Sequence, residues 1–500
     1  MAIGYEYLRE TLAPTALAPA RPARVRPVTR VMEEGGILAI PATVAPRSRE
    51  PLDHLLFALK HEGTNLQVLA QALPRMPAAD LIRASQAAPN SAYVRTACFL
   101  WEQFSGGQLP AVAIAAPVAH LFDPTRYVTG PNIRNAKWRV NFNGLGDFRL
   151  CPTVERTAAV QAGIDADVIG QTTAFVASLG PVMADRAIAW AYLHETQESF
   201  AIERESPTED KARTFVALLQ QAHQSRTLTE DTLVELQSSV VTSPYNRDSQ
   251  FRTTQNWLRG PARGAAGVTY VPPQPGLVPE LMDALMTFCN AMPSQIDPIV
   301  AASIASFSFV FIHPFTDGNG RLSRFLFHAA LCRSGKLPSG LILPVSIAMK
   351  HNEAQYLAAL QSFSKAAREL WRVQWIDEGK YAFEFTGDPG VYRYWDATRC
   401  VEFGFEMARQ ALDVELKQET EFLARYDHLE KAVNQRFDVR GNDLATLVQL
   451  CLANQGMVSK HRRRQFAGRV PDAVFDFLEQ EARTLFAKAG RAAGATPDPR

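Results

Sequence analysis

The chain is 500 residues long, about three times the common domain size, so we expect two or three domains. Its 52 basic and 51 acidic residues leave a net charge of +1, which argues against a protein that coats nucleic acid. Hydrophobic residues make up 47% and charged residues 21%, a composition that excludes an intrinsically disordered chain.

The cysteines and the apolar stretches indicate the cellular compartment. The six cysteines are scattered and include no CxxC pair, which favours reduced thiols over a disulfide scaffold or a zinc ribbon. Residues 1–30 lack an apolar run, so no signal peptide is predicted. The most apolar stretch, 299–312, is too short to cross a bilayer. We therefore predict a cytoplasmic protein with no membrane partner.

The first part of the chain is predicted to be an arm followed by helices. Residues 1–45 contain five prolines and predict an extended N-terminal arm. Residues 46–190 form a predicted N-terminal helical region, with helical patterns at 51–60, 65–73, 154–162 and 181–194. The stretch 131–151 mixes short β-prone pieces with glycine turns, which is typical of irregular structure.

The rest of the chain is predicted to be a helical core with a helical extension. In the core, 191–370, glycines and prolines at 257–276 surround a short β-prone run and predict a projecting hairpin. After Trp371 the chain is predicted to return to helix over 371–500, with a long helix at 401–436, a break at Arg440 and a frayed end at 493–500. The fold class is all-α, a helical bundle with a small β-hairpin, flanked by helical N- and C-terminal regions.

The segment 313–324, HPFTDGNGRLSR, follows a predicted apolar helix. Asp297 can cap this helix and Pro298 suits its first position. A helix that is apolar on all sides is expected at the centre of a bundle. His313 emerges at its end, where Pro314 forces the chain out of the helix.

The same segment contains the elements of an anion site. Gly318 and Gly320 permit a tight loop whose main-chain N–H groups turn inward, and a new helix begins at about Gly320. The positive end of that helix attracts phosphate. Arg321, Arg324 and His328 lie on a face of the new helix distinct from its apolar stripe.

These residue types together suit nucleotide chemistry. A triphosphate needs several N–H and guanidinium donors, and Mg²⁺ needs a hard oxygen ligand, here Asp317. A hydroxyl nucleophile needs a base such as His313. A lone His-Pro pair or a lone Gly-Asn-Gly turn is usually structural. Two arginines buried beside a histidine without an anionic partner would be costly, so the combination favours a nucleotide site.

At every defined position, residues 313–324 match the pattern HPFx[DE]GNGRxxR, so the chain resembles Fic-domain proteins. The resemblance extends over about 185–365, and 267–273 resembles the flap of that family. It implies a helical-bundle enzyme, a protein adenylyltransferase that transfers AMP from ATP to a Ser, Thr or Tyr hydroxyl of a target protein. Gly320 resembles the adenylylating members, since the phosphorylating Doc-type toxins tend to carry lysine there.

The resemblance also implies roles for single residues. His313 would be the catalytic base, Asp317 would hold Mg²⁺ between the α- and β-phosphates, and Arg321 and Arg324 would meet the β- and γ-phosphates. The remaining implied roles are phosphate binding by Gly318, Asn319 and Gly320, and docking of an extended target segment by Val268, Thr269 and Tyr270 of the flap.

A further resemblance concerns inhibition. Family members often carry a helix with the pattern [ST]xxxE[GN], whose glutamate pairs with the second arginine and blocks the γ-phosphate site. Ser199 and Glu203 fit this pattern, with Arg204 in place of glycine or asparagine. The alternative interpretation of Glu203 is a solvated helix charge. Glu62, which precedes a glycine but lacks the hydroxyl residue, is the second candidate.

Other functions stay open at this point. The same site would also suit transfer of UMP or phosphate, or removal of AMP. A nucleotide-sensing regulatory protein with a DNA- or partner-binding C-terminal region is the alternative from another class, suggested by the basic run 460–464. Solvated charge is the preferred interpretation of that run, so nucleic acid is not the expected partner. Self-modification and a homodimer are also open.

Overall fold

The computed structural model describes residues 2–493 apart from Ser225, Thr242 and Glu378, with side chains up to residue 487. Residues 494–500, in the end predicted to fray, lie outside this range. The helices, in chain order, are α1 (Gly4–Leu12), α2 (Pro51–His61), α3 (Leu66–Ala72), α4 (Ala78–Ala87), α5 (Ala92–Ser105), α6 (Ala158–Ala166), α7 (Val168–Ser178), α8 (Pro181–Ile202), α9 (Glu209–Gln221), α10 (Glu230–Val240), α11 (Val278–Ala291), α12 (Pro298–Ile312), α13 (Asn319–Arg333), α14 (Val345–His351), α15 (Glu353–Glu369), α16 (Gly390–Arg393), α17 (Thr398–Gln410), α18 (Lys417–Asn434), α19 (Gly441–Ala453), α20 (Lys460–Gln465) and α21 (Asp472–Ala493).

The strands are short and form small sheets. They are β1 (Ala23–Val25), β2 (Met32–Glu34), β3 (Ile37–Ile40), β4 (Ala119–His120), β5 (Ile133–Asn135), β6 (Val140–Phe142), β7 (Leu258–Arg259), β8 (Val268–Tyr270), β9 (Trp371–Asp377) and β10 (Lys380–Phe385). β3 lies between β1 and β2, and β6 lies between β4 and β5. β7 with β8 and β9 with β10 form antiparallel pairs. The predominantly helical fold with a small hairpin is therefore confirmed.

The chain forms two compact units. The first contains Met1–Gln171 and Tyr192–Arg409, and the second contains Thr172–Ala191 and Gln410–Arg500. The boundaries proposed from the sequence at residues 45, 190 and 370 stay predictions. None of the helices in the described part of the chain combines the length and the apolar character needed to cross a membrane.

Helix α12 forms the centre of the first unit, as its composition predicts. All of its residues except Val310 are buried. Asp297 caps the helix, because its carboxylate accepts hydrogen bonds from the main-chain nitrogens of Ile299 and Val300, and Pro298 occupies the first turn. α12 packs along α13, so the loop between them is held by two buried helices.

The N-terminal segment differs from the expected extended arm. Gly4–Leu12 is helix α1, and β1–β3 form a three-stranded sheet behind it. Tyr5 and Leu8 of α1 are buried in one apolar cluster, Ile3 is buried in another, and β3 is apolar along its length. These apolar side chains pack into a core and outweigh the local effect of the prolines, which lie in the connecting segments.

The segment after Glu369 is a β-hairpin and not the predicted helix. Its side chains alternate along β9 and β10, so that Trp371 pairs with Phe385, and Val373 with Phe383, on one face. This face packs against the buried Val268 and Val271 and against Trp257. An alternation with a period of two residues indicates a half-buried strand, and this is the signal that the prediction missed.

The second unit has its own apolar core, formed by α18, α19 and α21 and including Leu429, Leu447 and Phe475. The long helix predicted at 401–436 is interrupted by a wider turn at Ala411–Leu416. In the basic run, Arg463 pairs with Asp476 and Glu479 at 3.0 and 2.7 Å. Part of that basic charge is therefore neutralised within the unit.

The cap of α12 can be tested by substitution. We expect Asp297→Ala to lower the free energy of unfolding by about 1 kcal/mol, because two N–H groups at the start of a buried helix lose their acceptor. Asp297→Asn keeps an acceptor oxygen and should cost less. Urea unfolding followed by circular dichroism measures both variants. Equal loss in the two variants would contradict the capping role.

Candidate active site

His313 ends helix α12 in a left-handed conformation, with φ of 51° and ψ of 59°. Its main-chain N–H still donates to the carbonyl of Phe309, and its ring Nδ1 lies 3.2 Å from the carbonyl oxygen of Val310. Because a carbonyl only accepts, Nδ1 carries the hydrogen and Nε2 is left with a lone pair. Burial lowers the pKa of His313 to about 4, so the ring is neutral at pH 7 and can act as a base.

The side chain of Asn319 holds the loop between α12 and α13. Its Oδ1 accepts from the N–H of Phe315 at 3.1 Å, and its Nδ2 donates to the carbonyl of the same residue at 2.8 Å. Gly318 has a φ of 83°, and the first helical hydrogen bond of α13 runs from Leu322 to Gly318. Asn319 can therefore offer an anion its main-chain N–H, while its amide side chain fixes the loop.

Arg252 is a residue of the site that sequence reasoning missed. It is 7% exposed, and its guanidinium donates to the carbonyls of His313 at 2.9 Å, Ile312 at 3.3 Å and Pro273 at 2.5 Å. Burial lowers the pKa of Arg252 to about 10, so it remains charged at pH 7. This one side chain ties the end of α12 to the segment that follows the flap. Nothing near it in the sequence indicates this role, since its contacts with the end of α12 join residues 60 and 61 positions apart.

Asp317 lies in a polar network at the start of α13. Its Oδ2 accepts from Asn246 at 2.9 Å, and its Oδ1 accepts from the N–H of Gly318 at 2.6 Å and from Arg321 at 3.1 Å. Asp248 supports the same loop by accepting from the N–H of Thr316 at 2.7 Å. Asn246 and Asp248 were not among the predicted site residues.

The donor set at Asp317 fits a magnesium ion that is bound mainly by a nucleotide. No group of three or more His, Cys, Asp or Glu side chains suited to a metal occurs among the described residues. Asp317 thus supplies one carboxylate. Mg²⁺ in proteins commonly takes one or two carboxylates and completes its shell with phosphate oxygens and water.

The two arginines of α13 are almost fully buried, with side chains 2% (Arg321) and 1% (Arg324) exposed. Arg324 donates from Nε to the hydroxyl of Ser199 at 2.8 Å, and from Nη2 to the carbonyl of Ser199 at 2.6 Å and to Glu203 at 3.1 Å. Its Nη1 is buried and has no acceptor among the described residues. A buried donor without an acceptor is costly, and a bound anion would supply the missing acceptor.

Arg321 has a carboxylate partner that the sequence did not suggest. Its Nη1 donates to Glu205 at 2.8 Å and to the carbonyl of Val240 at 3.0 Å, and its guanidinium lies 5.2 Å from the centre of the Phe200 ring. Glu205 is two residues beyond the predicted inhibitory glutamate, outside the family pattern.

From Glu195 onward, α8 contacts α13 at intervals of one helical turn. Glu195 accepts from His328 across 2.7 Å, and both side chains are 1% exposed. Ser199 contacts Arg324 one turn further along α8. At the next turn, the carboxylate of Glu203 lies over Gly320, where an added Cβ would come within 2.0 Å of Oε1. The spacing of four residues on both helices fixes their register.

After the end of α8, Arg204 has the backbone conformation that suits the glycine or asparagine of the family pattern. Arg204 has a φ of 59°, and the N–H of Glu205 reaches back to the carbonyl of Phe200 at 3.1 Å, as in a glycine-terminated helix. A glycine or an asparagine adopts this conformation easily, whereas arginine adopts it at a cost. The same reversal turns both Glu203 and Glu205 toward α13.

The flap forms as predicted, and two of its three named residues face the core. Val268 and Tyr270 are each 3% exposed, and the hydroxyl of Tyr270 donates to the carbonyl of Phe311 at 2.7 Å. Thr269 is exposed. The alternative inhibitory residue, Glu62, contacts the N–H of Tyr5 at 2.9 Å in the N-terminal region and not the arginines of α13.

The conformation of Arg204 gives a stability prediction. A left-handed backbone costs an L-residue about 1–2 kcal/mol. Glycine removes most of that cost but adds freedom to the unfolded chain, so Arg204→Gly should raise the free energy of unfolding by about 1 kcal/mol. Arg204→Ala is the matched control and should stay near the parent value. Urea titration measures the free energy of unfolding of the parent protein and the two variants. A glycine variant less stable than the alanine variant would contradict this prediction.

The environment of His313 gives a pH prediction. Because burial lowers the pKa of His313 to about 4, its NMR signal in the free protein should titrate far below the ordinary value of about 6.5. The signal is assigned by its loss in His313→Ala. A midpoint near the ordinary value would mean that the ring is solvated and partly protonated at neutral pH.

Part of the chain is similar to known proteins. The family model Fic/DOC family matches residues 227–331. Protein adenylyltransferase fic-1 of Caenorhabditis elegans is 39% identical over 92 residues, which cover 18% of this chain and 17% of that protein. Protein adenylyltransferase Fic of Drosophila grimshawi is 36% identical over 108 residues, which cover 21% and 19%.

Solved structures of Fic proteins are also similar. A Fic family protein from Desulfovibrio desulfuricans G20 has 20% identity and a TM-score of 0.41, covering 64% of this chain and 96% of that chain. Fic-1 from C. elegans has 16% identity and a TM-score of 0.34, covering 72% and 90%. The matched segment spans 17 to 19% of the length of the first two curated relatives. Residues 227–331, which match the Fic/DOC family model, include the flap, the loop and both arginines of α13.

Proposed function

We propose that this protein transfers AMP from Mg·ATP to a Ser, Thr or Tyr hydroxyl of a target protein, and that Glu203 restrains the reaction. The observation that carries the proposal is the pair of almost fully buried arginines on α13, the helix that follows the loop after His313. The names of the curated relatives, protein adenylyltransferases, support the same activity over the matched segment.

The nucleotide would bind at the start of α13. Arg321 and Arg324 supply guanidinium donors for the β- and γ-phosphates, and the first turn of the helix supplies main-chain N–H groups and its positive end. Asp317 would hold the magnesium ion. When bound, that ion withdraws negative charge from the phosphates and so makes the α-phosphorus a better electrophile.

His313 would act as the base. The oxygen of the target hydroxyl attacks the α-phosphorus, its proton passes to Nε2 of His313, and the bond from the α-phosphorus to the bridging oxygen breaks so that pyrophosphate leaves. The contact of Nδ1 with Val310 holds the ring in the tautomer that this step needs. Arg252 and Asn256 keep the backbone of His313 in place by donating to its carbonyl at 2.9 and 3.2 Å.

The target would dock at the flap as an extended segment. The buried Val268 and Tyr270 anchor β8 to the core, which would leave the exposed Thr269 for recognition. The flap and His313 are joined through Arg252, so a segment bound there lies at a set position relative to the base.

Inhibition by Glu203 would be competitive. Glu203 occupies Nη2 of Arg324 at 3.1 Å and covers Gly320, the position that the γ-phosphate would approach. The buried arginine cannot pair with the carboxylate and with a phosphate in the same place. ATP binding in a productive arrangement therefore requires Glu203 to leave.

Intact mass spectrometry after incubation with Mg·ATP tests reaction and inhibition together. We expect Glu203→Gly to gain an AMP-sized increment on itself, or to transfer it to proteins of a lysate, at least about tenfold faster than the wild type, because about 1.4 kcal/mol of competition is lost. The increment should vanish in Glu203→Gly with His313→Ala.

Labelled ATP separates the alternatives. Label transferred from the α-phosphate supports AMP transfer, whereas label from the γ-phosphate would mean phosphorylation. Glu198→Gly, which alters a glutamate within α8, controls for loss of helix stability. No transfer by the Glu203 variant, with nucleotide binding intact, would overturn the proposed function.

A further inference from the structure

The reversal at the end of α8 brings a second carboxylate to the site. Glu203 contacts Arg324 and Glu205 contacts Arg321, at 3.1 and 2.8 Å. Each of the two arginines is thereby paired with a different glutamate from the same short segment. The family pattern that Ser199 and Glu203 follow contains only the first of these carboxylates.

We propose that Glu205 is a second inhibitory residue, which occupies Arg321 and must leave before the β-phosphate of a nucleotide can bind. The inference rests on the proposed function, because it assigns Arg321 to the nucleotide. It extends that function by giving the inhibitory segment two contacts, one for each arginine.

The different burial of Arg321 and Glu205 indicates that Glu205 would be the one to move. The side chain of Arg321 is 2% exposed, that of Glu205 is 35% exposed, and the guanidinium is held by Val240, Asp317 and the Phe200 ring. Glu205 lies in the turn after α8 and can exchange its arginine for water at small cost. Arg321 cannot follow it, so an anion that binds Arg321 must take the place of the carboxylate.

Because Glu203 and Glu205 contact different arginines, they should affect the binding of ATP and ADP differently. Arg324, the partner of Glu203, is assigned to the γ-phosphate, and Arg321, the partner of Glu205, to the β-phosphate. ADP has a β-phosphate but no γ-phosphate. Glu205 should therefore weaken the binding of both nucleotides, while Glu203 should weaken the binding of ATP more than that of ADP.

Isothermal titration calorimetry with Mg·ADP and Mg·ATP tests this assignment. All proteins carry His313→Ala so that no chemistry consumes the nucleotide, and the added changes are Glu203→Gln, Glu205→Gln and both together. Glutamine keeps the size of the side chain and removes its charge. Glu209→Gln is the matched control, because Glu209 is 80% exposed and pairs with Arg213 on its own helix.

We expect Glu205→Gln to tighten Mg·ADP binding by at least about fivefold, since a charge-assisted contact no longer competes. Glu203→Gln should tighten Mg·ATP more than Mg·ADP, and the control should change neither by more than about twofold. Thermal unfolding confirms that each variant is folded, and Glu205→Ala repeats the test without a hydrogen-bonding group.

The outcomes distinguish this inference from the function on which it rests. If Mg·ADP binds equally in the Glu205 variants and in the control, while Glu203→Gln tightens Mg·ATP, Glu205 is not inhibitory and the nucleotide site stands. If neither nucleotide binds any folded variant, including the double one, the nucleotide site itself is wrong.

Discussion

Two guanidinium groups buried on one helix need anionic partners, and this requirement shapes the site. Arg321 and Arg324 are 2% and 1% exposed, so water cannot solvate them. In the structure their partners are Asp317, Glu203 and Glu205, with Ser199 as a neutral acceptor. The carboxylates that stabilise the arginines in the absence of ligand are the groups with which a phosphate would compete. Stability without ligand and the proposed inhibition would thus have the same physical cause.

The segment that would compete with a phosphate is short, and it follows a part of α8 that is held by buried contacts. The buried contact between Glu195 and His328, with Ser346 donating its N–H to Glu195 at 2.8 Å, holds α8 against α13 about two turns before Glu203. Beyond Ser199 the helix soon ends, at Ile202, and its last residues and the reversal at Arg204 are more exposed. The two glutamates that follow the fixed part can therefore change partners without a shift of the whole helix. A local exchange of this kind is sufficient for a switch.

The local features of the site could be predicted from the sequence, and most of its supporting contacts could not. Asp297 and Pro298 mark the start of α12, Pro314 its end, and the glycines the loop, because each of these residues acts through its own backbone or its neighbours. The pairing of Glu203 with Arg324 was expected from a resemblance and matches the observed contact. Glu205, Arg252 and Asn246 act on partners 116, 61 and 71 residues away, and no periodicity carries such information.

Two elements were mispredicted because local composition was given too much weight. Prolines suggested an extended N-terminus, but the apolar face of α1 packs into a core. The charged and aromatic residues of β9 and β10 were assigned to helix, although their alternation fits a strand that packs beside the flap. In both cases burial of apolar surface decided the structure.

The central claim is that an anion bound at α13 replaces the carboxylates of Glu203 and Glu205, which follow the end of α8. The most direct measurement is a crystal structure of the Glu203→Gly variant with Mg²⁺ and a non-hydrolysable ATP analogue. The account predicts the γ-phosphate within hydrogen-bond distance of Arg324, and the β-phosphate at Arg321 with Glu205 turned away. Phosphates bound elsewhere, with Arg321 still paired to Glu205, would contradict it.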